Sequence, residues 1–73
     1  MNQLLQTAPE PGELRATRRA AHLNQTKAAG IVNVTLRTWQ NWERGSPQIT
    51  GANYSFFLLQ IDKHPTYQVR YKE

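Results

Sequence analysis

The clearest hydrophobic pattern lies in the second half of the chain. Apolar side chains recur there at i, i+3, i+4 and i+7, at Tyr54, Phe57, Leu58 and Ile61. This spacing predicts an amphipathic helix with one face on the core. Thr50 is suited to cap its start, and the helix should close at His64, because Pro65 disfavours helical backbone in the residue before it.

Three further helices are predicted upstream. Residues 13–22 are mostly good helix formers without glycine or proline, which indicates a first helix stopping near His22. Residues 25–32 and 36–44 form the second and third helices, separated by a short turn. Their predicted caps and stops are Asn24, Asn33, Thr35 and Gly45.

The two ends of the chain differ from this helical pattern. Residues 1–12 contain two prolines and a glycine, and we expect a flexible N-terminal tail that ends at Pro11–Gly12. Residues 13–64 then form the folded domain. In residues 65–73, apolar Tyr67, Val69 and Tyr71 alternate with polar residues, which is the period of a strand. The fold class is therefore all-α, with four to five helices and room for a short C-terminal strand.

Composition narrows the function classes. With 73 residues, the chain has room for one small domain. Its net charge of +4 favours a polyanionic partner, and the absence of cysteine excludes disulfides, thiolate zinc sites and cysteine catalysis. No apolar run is long enough to cross a membrane, and the N-terminus lacks the pattern of a signal peptide. We expect a cytoplasmic protein.

The third helix carries two different faces. Trp39 and Trp42 lie three positions apart and are expected in the core, with Glu43 beside Trp39. The opposite face holds Leu36, Arg37, Gln40, Asn41 and Arg44. Arginine matches guanine edges, and asparagine or glutamine matches adenine edges, so this face suits the DNA major groove. A plain solvated face is the alternative interpretation.

The segment from Leu23 to Gly45 reads LNQTKAAGIVNVTLRTWQNWERG. It resembles the Cro/CI-type (Xre-like) helix-turn-helix family of phage and bacterial regulators, including small phage autorepressors of the anti-CRISPR-associated kind. The matching positions are Leu23, Asn24, Gln25, Ala29, Asn33, Val34, Thr35, Trp42, Glu43 and Gly45. Thr17, His22 and Leu36 depart from the family pattern, which usually has a large aliphatic, a glycine and a polar base reader there.

The resemblance implies a transcriptional regulator, most simply an autorepressor, that binds an inverted-repeat operator in double-stranded DNA as a dimer. The expected base contacts are Leu36, Arg37, Gln40 and Asn41. Leu36 could contact a thymine methyl group, or it could cover Gln25. The expected phosphate contacts are Asn24, Gln25, Lys27, Thr35, Thr38 and Arg44. Gln25 should also steady the start of the third helix, and Arg18 should pair with Glu43. Arg15 and Arg19 could reach the DNA backbone or only add to the positive field.

A homodimer is expected from the fourth helix and the C-terminal segment. Phe56 and Leu59 lie off the core stripe, and the C-terminal residues Tyr67, Val69 and Tyr71 need a partner strand. The alternative is that the segment frays and Phe56 and Leu59 complete a wide core stripe.

The rival function is a protein-interaction module, such as an antitoxin or inhibitor on a helix-turn-helix fold. An enzyme is not expected, because no nucleophile or acid–base set is present. His22 and His64 have no further ligand at metal spacing, so neither a metal nor a cofactor is predicted. No small-molecule ligand and no membrane partner are expected either.

Overall fold

The computed structural model describes residues 7–61 of the chain. Within that range it contains four α helices and no strand: α1 (Pro11–Ala20), α2 (Gln25–Ile31), α3 (Leu36–Arg44) and α4 (Gly51–Gln60). The all-α prediction is confirmed for this part. The predicted C-terminal strand in residues 65–73 and the first half of the predicted N-terminal tail, residues 1–6, lie outside the described residues.

The three predicted N-caps are confirmed. Asn24, Thr35 and Thr50 precede α2, α3 and α4, and each has extended backbone. In each case the side-chain oxygen accepts a hydrogen bond from the backbone N–H three residues on, at 2.8 to 3.1 Å. These caps satisfy donors that the first helical turn leaves without a partner, so the local sequence fixes where each helix begins.

The start of α1 corrects the predicted tail. The helix begins at Pro11, not at Glu13, because proline lacks an N–H and has a helical φ, which suits the first position of a helix. Pro9 is buried, and its carbonyl accepts a hydrogen bond from Gln48 Nε2 at 2.8 Å. The predicted start of the first helix is therefore wrong by two residues, and Pro9, in the predicted tail, contacts the folded part of the chain.

The end of α4 is also earlier than predicted. The last helical residue is Gln60, and Ile61 already has non-helical backbone; the predicted end, His64, lies outside the described residues. The proline rule gives only the furthest point a helix can reach, and α4 stops before it.

Three residues with positive φ separate the helices. Asn33, between α2 and α3, has a φ of 59°, and Gly45, after α3, has a φ of 83°. Both are at the predicted breaks. His22, after α1, has a φ of 61° without being glycine. At Gly45 a Cβ would lie 2.9 Å from Pro11 Cγ, so the end of α3 sits directly on the start of α1.

Trp39 is at the centre of the core. Its ring centroid lies 4.9 Å from that of Phe57 and 5.6 Å from that of Trp42, in tilted arrangements favourable for aromatic pairs. α3 packs on α1 and α2, and α4 packs on α2. The predicted stripe of α4 is confirmed, since Tyr54, Phe57 and Leu58 are buried and Ile61 packs against them.

Two residues outside the predicted core patterns also hold the elements together. Ile49, in the connector between α3 and α4, is fully buried. The Thr17 hydroxyl shares a 3.1 Å hydrogen bond with the Tyr54 hydroxyl, which joins α1 to α4. A polar residue at position 17 therefore has a partner inside this fold.

Phe56 and Leu59, which were predicted to lie off the core stripe of α4, differ in their exposure to solvent. Phe56 is 43% exposed, so it does not complete the core stripe, while Leu59 is half-buried. The remaining predicted interface residues, Tyr67, Val69 and Tyr71, lie outside the described residues.

Candidate nucleic-acid interface

α3 separates into an inner and an outer face, as the sequence predicts. Trp39, Trp42 and Glu43 are buried on the inner side. The outer residues stay outside the buried core: Leu36, Arg37 and Arg44 are exposed, and Gln40 and Asn41 are half-buried. One set of side chains thus packs α3 against the core, and a different set faces the solvent.

A buried carboxylate organises the inner face. Glu43 is only 4% exposed, and its Oε2 accepts hydrogen bonds from Arg18 Nε and Trp39 Nε1, both at 2.6 Å. Its Oε1 accepts from Arg18 Nη2 at 3.1 Å and from Gln25 Nε2 at 3.0 Å. The predicted Arg18–Glu43 ion pair therefore forms, and it joins α1 to α3. Charge-assisted bonds of this kind are short and directional, so they fix the orientation of α3.

The protonation state of Glu43 follows from this environment. Burial alone would raise the pKa of the Glu43 carboxyl. The hydrogen bonds from Arg18, Trp39 and Gln25, together with the charge of Arg18, outweigh burial and lower its pKa below the ordinary value. Glu43 is therefore ionised at neutral pH and balances the buried charge of Arg18.

Gln25 connects α2 to α3, but not at the start of α3, where the contact was expected. Its Nε2 donates to Glu43, and its Oε1 accepts from Gln40 Nε2 at 3.4 Å. These partners lie in the middle and the last turn of α3, so the hydrogen bonds of Gln25 hold that part of the helix and not, as was expected, its start. The side chain of residue 40 is long enough to cross to α2, whereas the start of α3 is held by its own cap, Thr35.

Arg15 completes this side of the molecule. Its Nη2 donates to the backbone carbonyl of Glu43 at 3.1 Å, and its Nε lies 3.7 Å from Glu43 Oε1. Sequence reasoning left the role of Arg15 open. The available signal is its spacing, since Arg15 and Arg18 lie three positions apart and so share one face of α1.

An open depression of about 270 Å³ lies where these side chains meet. It is lined by Arg15, Gln25, Gln40, Glu43 and Arg44. Two of the lining residues are cations, and Glu43 turns its carboxylate to the buried network. The depression therefore offers N–H donors to an anion approaching from solvent.

Several predicted contact residues already bond to each other. The hydroxyls of Thr35 and Thr38 lie 3.0 Å apart and hydrogen-bond, and Thr35 also caps α3. Arg44 Nη2 donates to Asn41 Oδ1, which links a predicted phosphate contact to a predicted base contact. Asn24 caps α2, and Lys27 is exposed one turn later. Arg19 is exposed on α1.

The charge balance of residues 24–45 is one-sided. Lys27, Arg37 and Arg44 are exposed cations, whereas Glu43, the acidic residue of that segment, is buried and paired with Arg18. No exposed carboxylate lies within the segment. The exposed charges of this segment are therefore all positive, and its outer surface is rich in amide groups.

Two other features are absent from residues 7–61, the part of the chain that the structure describes. No three His, Asp or Glu side chains of this range are grouped so that they could hold a metal ion. None of the described helices has the length and apolar character needed to cross a membrane.

Comparison with known proteins gave one informative match. No family model matches the chain. Over 52 residues, or 71% of its length, the chain is 38% identical to Type II methyltransferase M.MspI of Moraxella sp. The matched region is 12% of that protein, so the chain corresponds to a small part of it.

Proposed function

We propose that this protein is a sequence-specific, double-stranded DNA-binding transcriptional regulator with a Cro/CI-type helix-turn-helix. In this proposal α2 and α3 form the motif, and α3 enters the major groove. The observation that carries the proposal is the surface of residues 24–45. It combines exposed cations with base-matching amides, while its carboxylate, Glu43, is buried.

This charge arrangement suits a polyanion with readable edges. A phosphate backbone is attracted by Lys27, Arg37 and Arg44, and no exposed carboxylate of the segment repels it. A cationic patch alone would not discriminate sequence. Arg37, Gln40 and Asn41 add the donor and acceptor groups that guanine and adenine edges match.

Each residue then has a separate role. Leu36, Arg37, Gln40 and Asn41 contact bases, and Arg37 is the principal reader because its guanidinium is exposed. Asn24, Gln25, Lys27, Thr35, Thr38 and Arg44 contact or flank phosphates. Arg15 and Arg44 line the open depression beside α3, which suits a backbone phosphate.

The proposed mechanism is steric exclusion at an operator, with no chemistry and no cofactor. We infer repression in the bacterial cytoplasm, for a host-encoded or a phage-encoded chain. The methyltransferase relative does not change this. The match spans 12% of that protein, so its methyltransferase activity is not carried over to this chain.

The operator is proposed to be an inverted repeat bound by a homodimer. Phe56 is 43% exposed and Leu59 lies one turn later on α4, so together they offer an apolar patch to a second copy. Two copies of α3 would then reach successive major grooves, about 34 Å apart.

Two variants test the proposal on a duplex selected from a random pool, with a scrambled duplex for comparison. Arg37→Ala should lose about 1–3 kcal/mol on the selected duplex and relax one base position. Lys27→Ala is the matched control, since it also removes one exposed cation. It should weaken both duplexes alike and reduce the salt slope by about 1.

The same experiment separates the rival function. If Arg37→Ala weakens both duplexes equally, Arg37 is not a base reader. If the unaltered chain binds all duplexes alike, the regulator proposal fails, and a protein-interaction module with incidental DNA affinity takes its place.

A further inference from the structure

Leu36 is the apolar exception on the polar outer face of α3. It is 41% exposed, and it does not belong to the hydrophobic core or to the residues packed against it. Among the described residues one other large hydrophobic side chain, Phe56 on α4, is exposed to this extent. Leu36 is also the first residue of α3, at the end that a recognition helix directs toward base edges.

The alternative expected use of this side chain is to cover Gln25. The Gln25 amide is held by Gln40 and Glu43, and Leu36 is still 41% exposed. The neighbouring Thr35 hydroxyl is also engaged, because it caps the helix and bonds to Thr38. Leu36 therefore presents an apolar side chain to solvent at the first turn of α3, outside the hydrophobic core.

We infer that Leu36 recognises the C5-methyl group of a pyrimidine in the major groove. This inference rests on the proposed function. The C5-methyl is the apolar group that a base pair exposes there, and thymine carries it while cytosine does not. A 5-methylcytosine carries the same methyl at the same place, so binding becomes sensitive to cytosine methylation at that position.

The expected effect follows from the area of one methyl group. Burying one such group against an aliphatic side chain changes affinity about fourfold. This is smaller than the loss expected from Arg37→Ala, so Leu36 tunes the choice of base without supplying most of the affinity.

The test uses the full chain and the tightest duplex recovered from a random pool. Each thymine of the half-site is replaced by uracil, one at a time, which removes only the methyl group. At the sensitive position, cytosine and 5-methylcytosine are then compared opposite guanine. Affinities are measured for the unaltered chain and for Leu36→Ala, Leu36→Met and Phe56→Ala, after circular dichroism has confirmed that each variant is folded.

The unaltered chain should bind about fourfold more weakly when uracil replaces the sensitive thymine of one half-site. At that position 5-methylcytosine should bind about fourfold more tightly than cytosine. Both ratios should disappear in Leu36→Ala and persist in Leu36→Met, which keeps the apolar side chain. Phe56→Ala is the matched control and should keep both ratios, even if it lowers overall affinity.

If thymine binds more tightly than uracil but 5-methylcytosine binds no more tightly than cytosine, the contact is still supported, and it is then specific to thymine. The inference is overturned if no thymine is sensitive, if the half-site contains no thymine, or if Leu36→Ala keeps the ratios. If binding is sequence-specific but insensitive to the methyl group, only the role of Leu36 is contradicted. Equal binding to all duplexes removes the proposed function and this inference together.

Discussion

Replacing Glu43 by glutamine should remove a large share of the folding free energy, although it changes the side-chain volume very little. The two carboxylate oxygens accept four hydrogen bonds, from Arg18, Trp39 and Gln25. A glutamine keeps one of these oxygens and places an NH2 group at the other position. Two N–H donors then face another donor, and the Arg18 guanidinium loses its counter-charge.

The magnitude follows from burial. The side chain of Arg18 is 10% exposed and that of Glu43 is 4% exposed, so solvent cannot replace the lost partner. Removing one member of a buried pair costs about 3–5 kcal/mol. A domain of this size has a total unfolding free energy of about 4–11 kcal/mol at about 0.05–0.15 kcal/mol per residue. Glu43→Gln should therefore remove on the order of half of the stability.

Urea denaturation followed by tryptophan fluorescence measures this loss, because Trp39 and Trp42 are buried and report on the core. Glu13→Gln is the matched control, since it makes the same chemical change at an exposed acid in the first turn of α1. It should cost about 1 kcal/mol at most. Arg18→Met and the double variant complete a double-mutant cycle.

In that cycle the double variant should be more stable than the sum of the single losses predicts, by about 1–3 kcal/mol. If Glu43→Gln unfolds within about 1 kcal/mol of the unaltered chain, the buried network does not support the fold. Strictly additive losses would show that Arg18 and Glu43 do not act on each other.

Three further predictions concern pH, backbone conformation and assembly. Because the folded state lowers the pKa of Glu43 below its ordinary value of 4.5, its ionised form stabilises the fold above that pH. The urea midpoint should fall as the pH drops below about 4.5, and less so in Glu43→Gln; equal slopes would contradict this. Gly45→Ala should destabilise the fold by about 1–2 kcal/mol or more, because residue 45 has a positive φ and a Cβ there would contact Pro11. Gly30→Ala should leave the stability unchanged or raise it by up to about 1 kcal/mol, because the space around a Cβ there is open. Equal stabilities for the two glycine variants would argue against the αL assignment. Sedimentation at micromolar concentration should show a dimer, and the double variant Phe56→Lys, Leu59→Lys should be a monomer. The interface would be ruled out if the unaltered chain is a monomer and the double variant binds the operator as tightly as the unaltered chain.

The sequence predicted the helix starts of α2, α3 and α4 because their signals are local. Asn24, Thr35 and Thr50 act within one turn, through a side-chain oxygen and an N–H three residues away. The ends at Asn33 and Gly45 were equally readable, since both residues tolerate positive φ. The inner and outer faces of α3 followed from helical periodicity alone.

What the sequence did not predict at Pro9, Arg15 and Gln25 concerns contacts between distant residues. Pro9 is held by Gln48, which lies 39 positions later, and nothing in the local pattern of the tail indicates that contact. The role of Arg15 depends on how α1 lies across the end of α3. Gln25 contacts the middle and the last turn of α3, because the angle between two helices decides which turn a side chain can touch.

The two faces of α3 have a consequence for how this surface can change. The residues that hold the helix in place, Trp39, Trp42 and Glu43, are separate from the exposed Leu36, Arg37 and Arg44. Exchanging one of the exposed side chains leaves the core contacts intact. New ligand preferences can therefore arise by single substitutions, with no compensating change inside the protein. Gln40 is the exception, since its bond to Gln25 ties that outer position to α2.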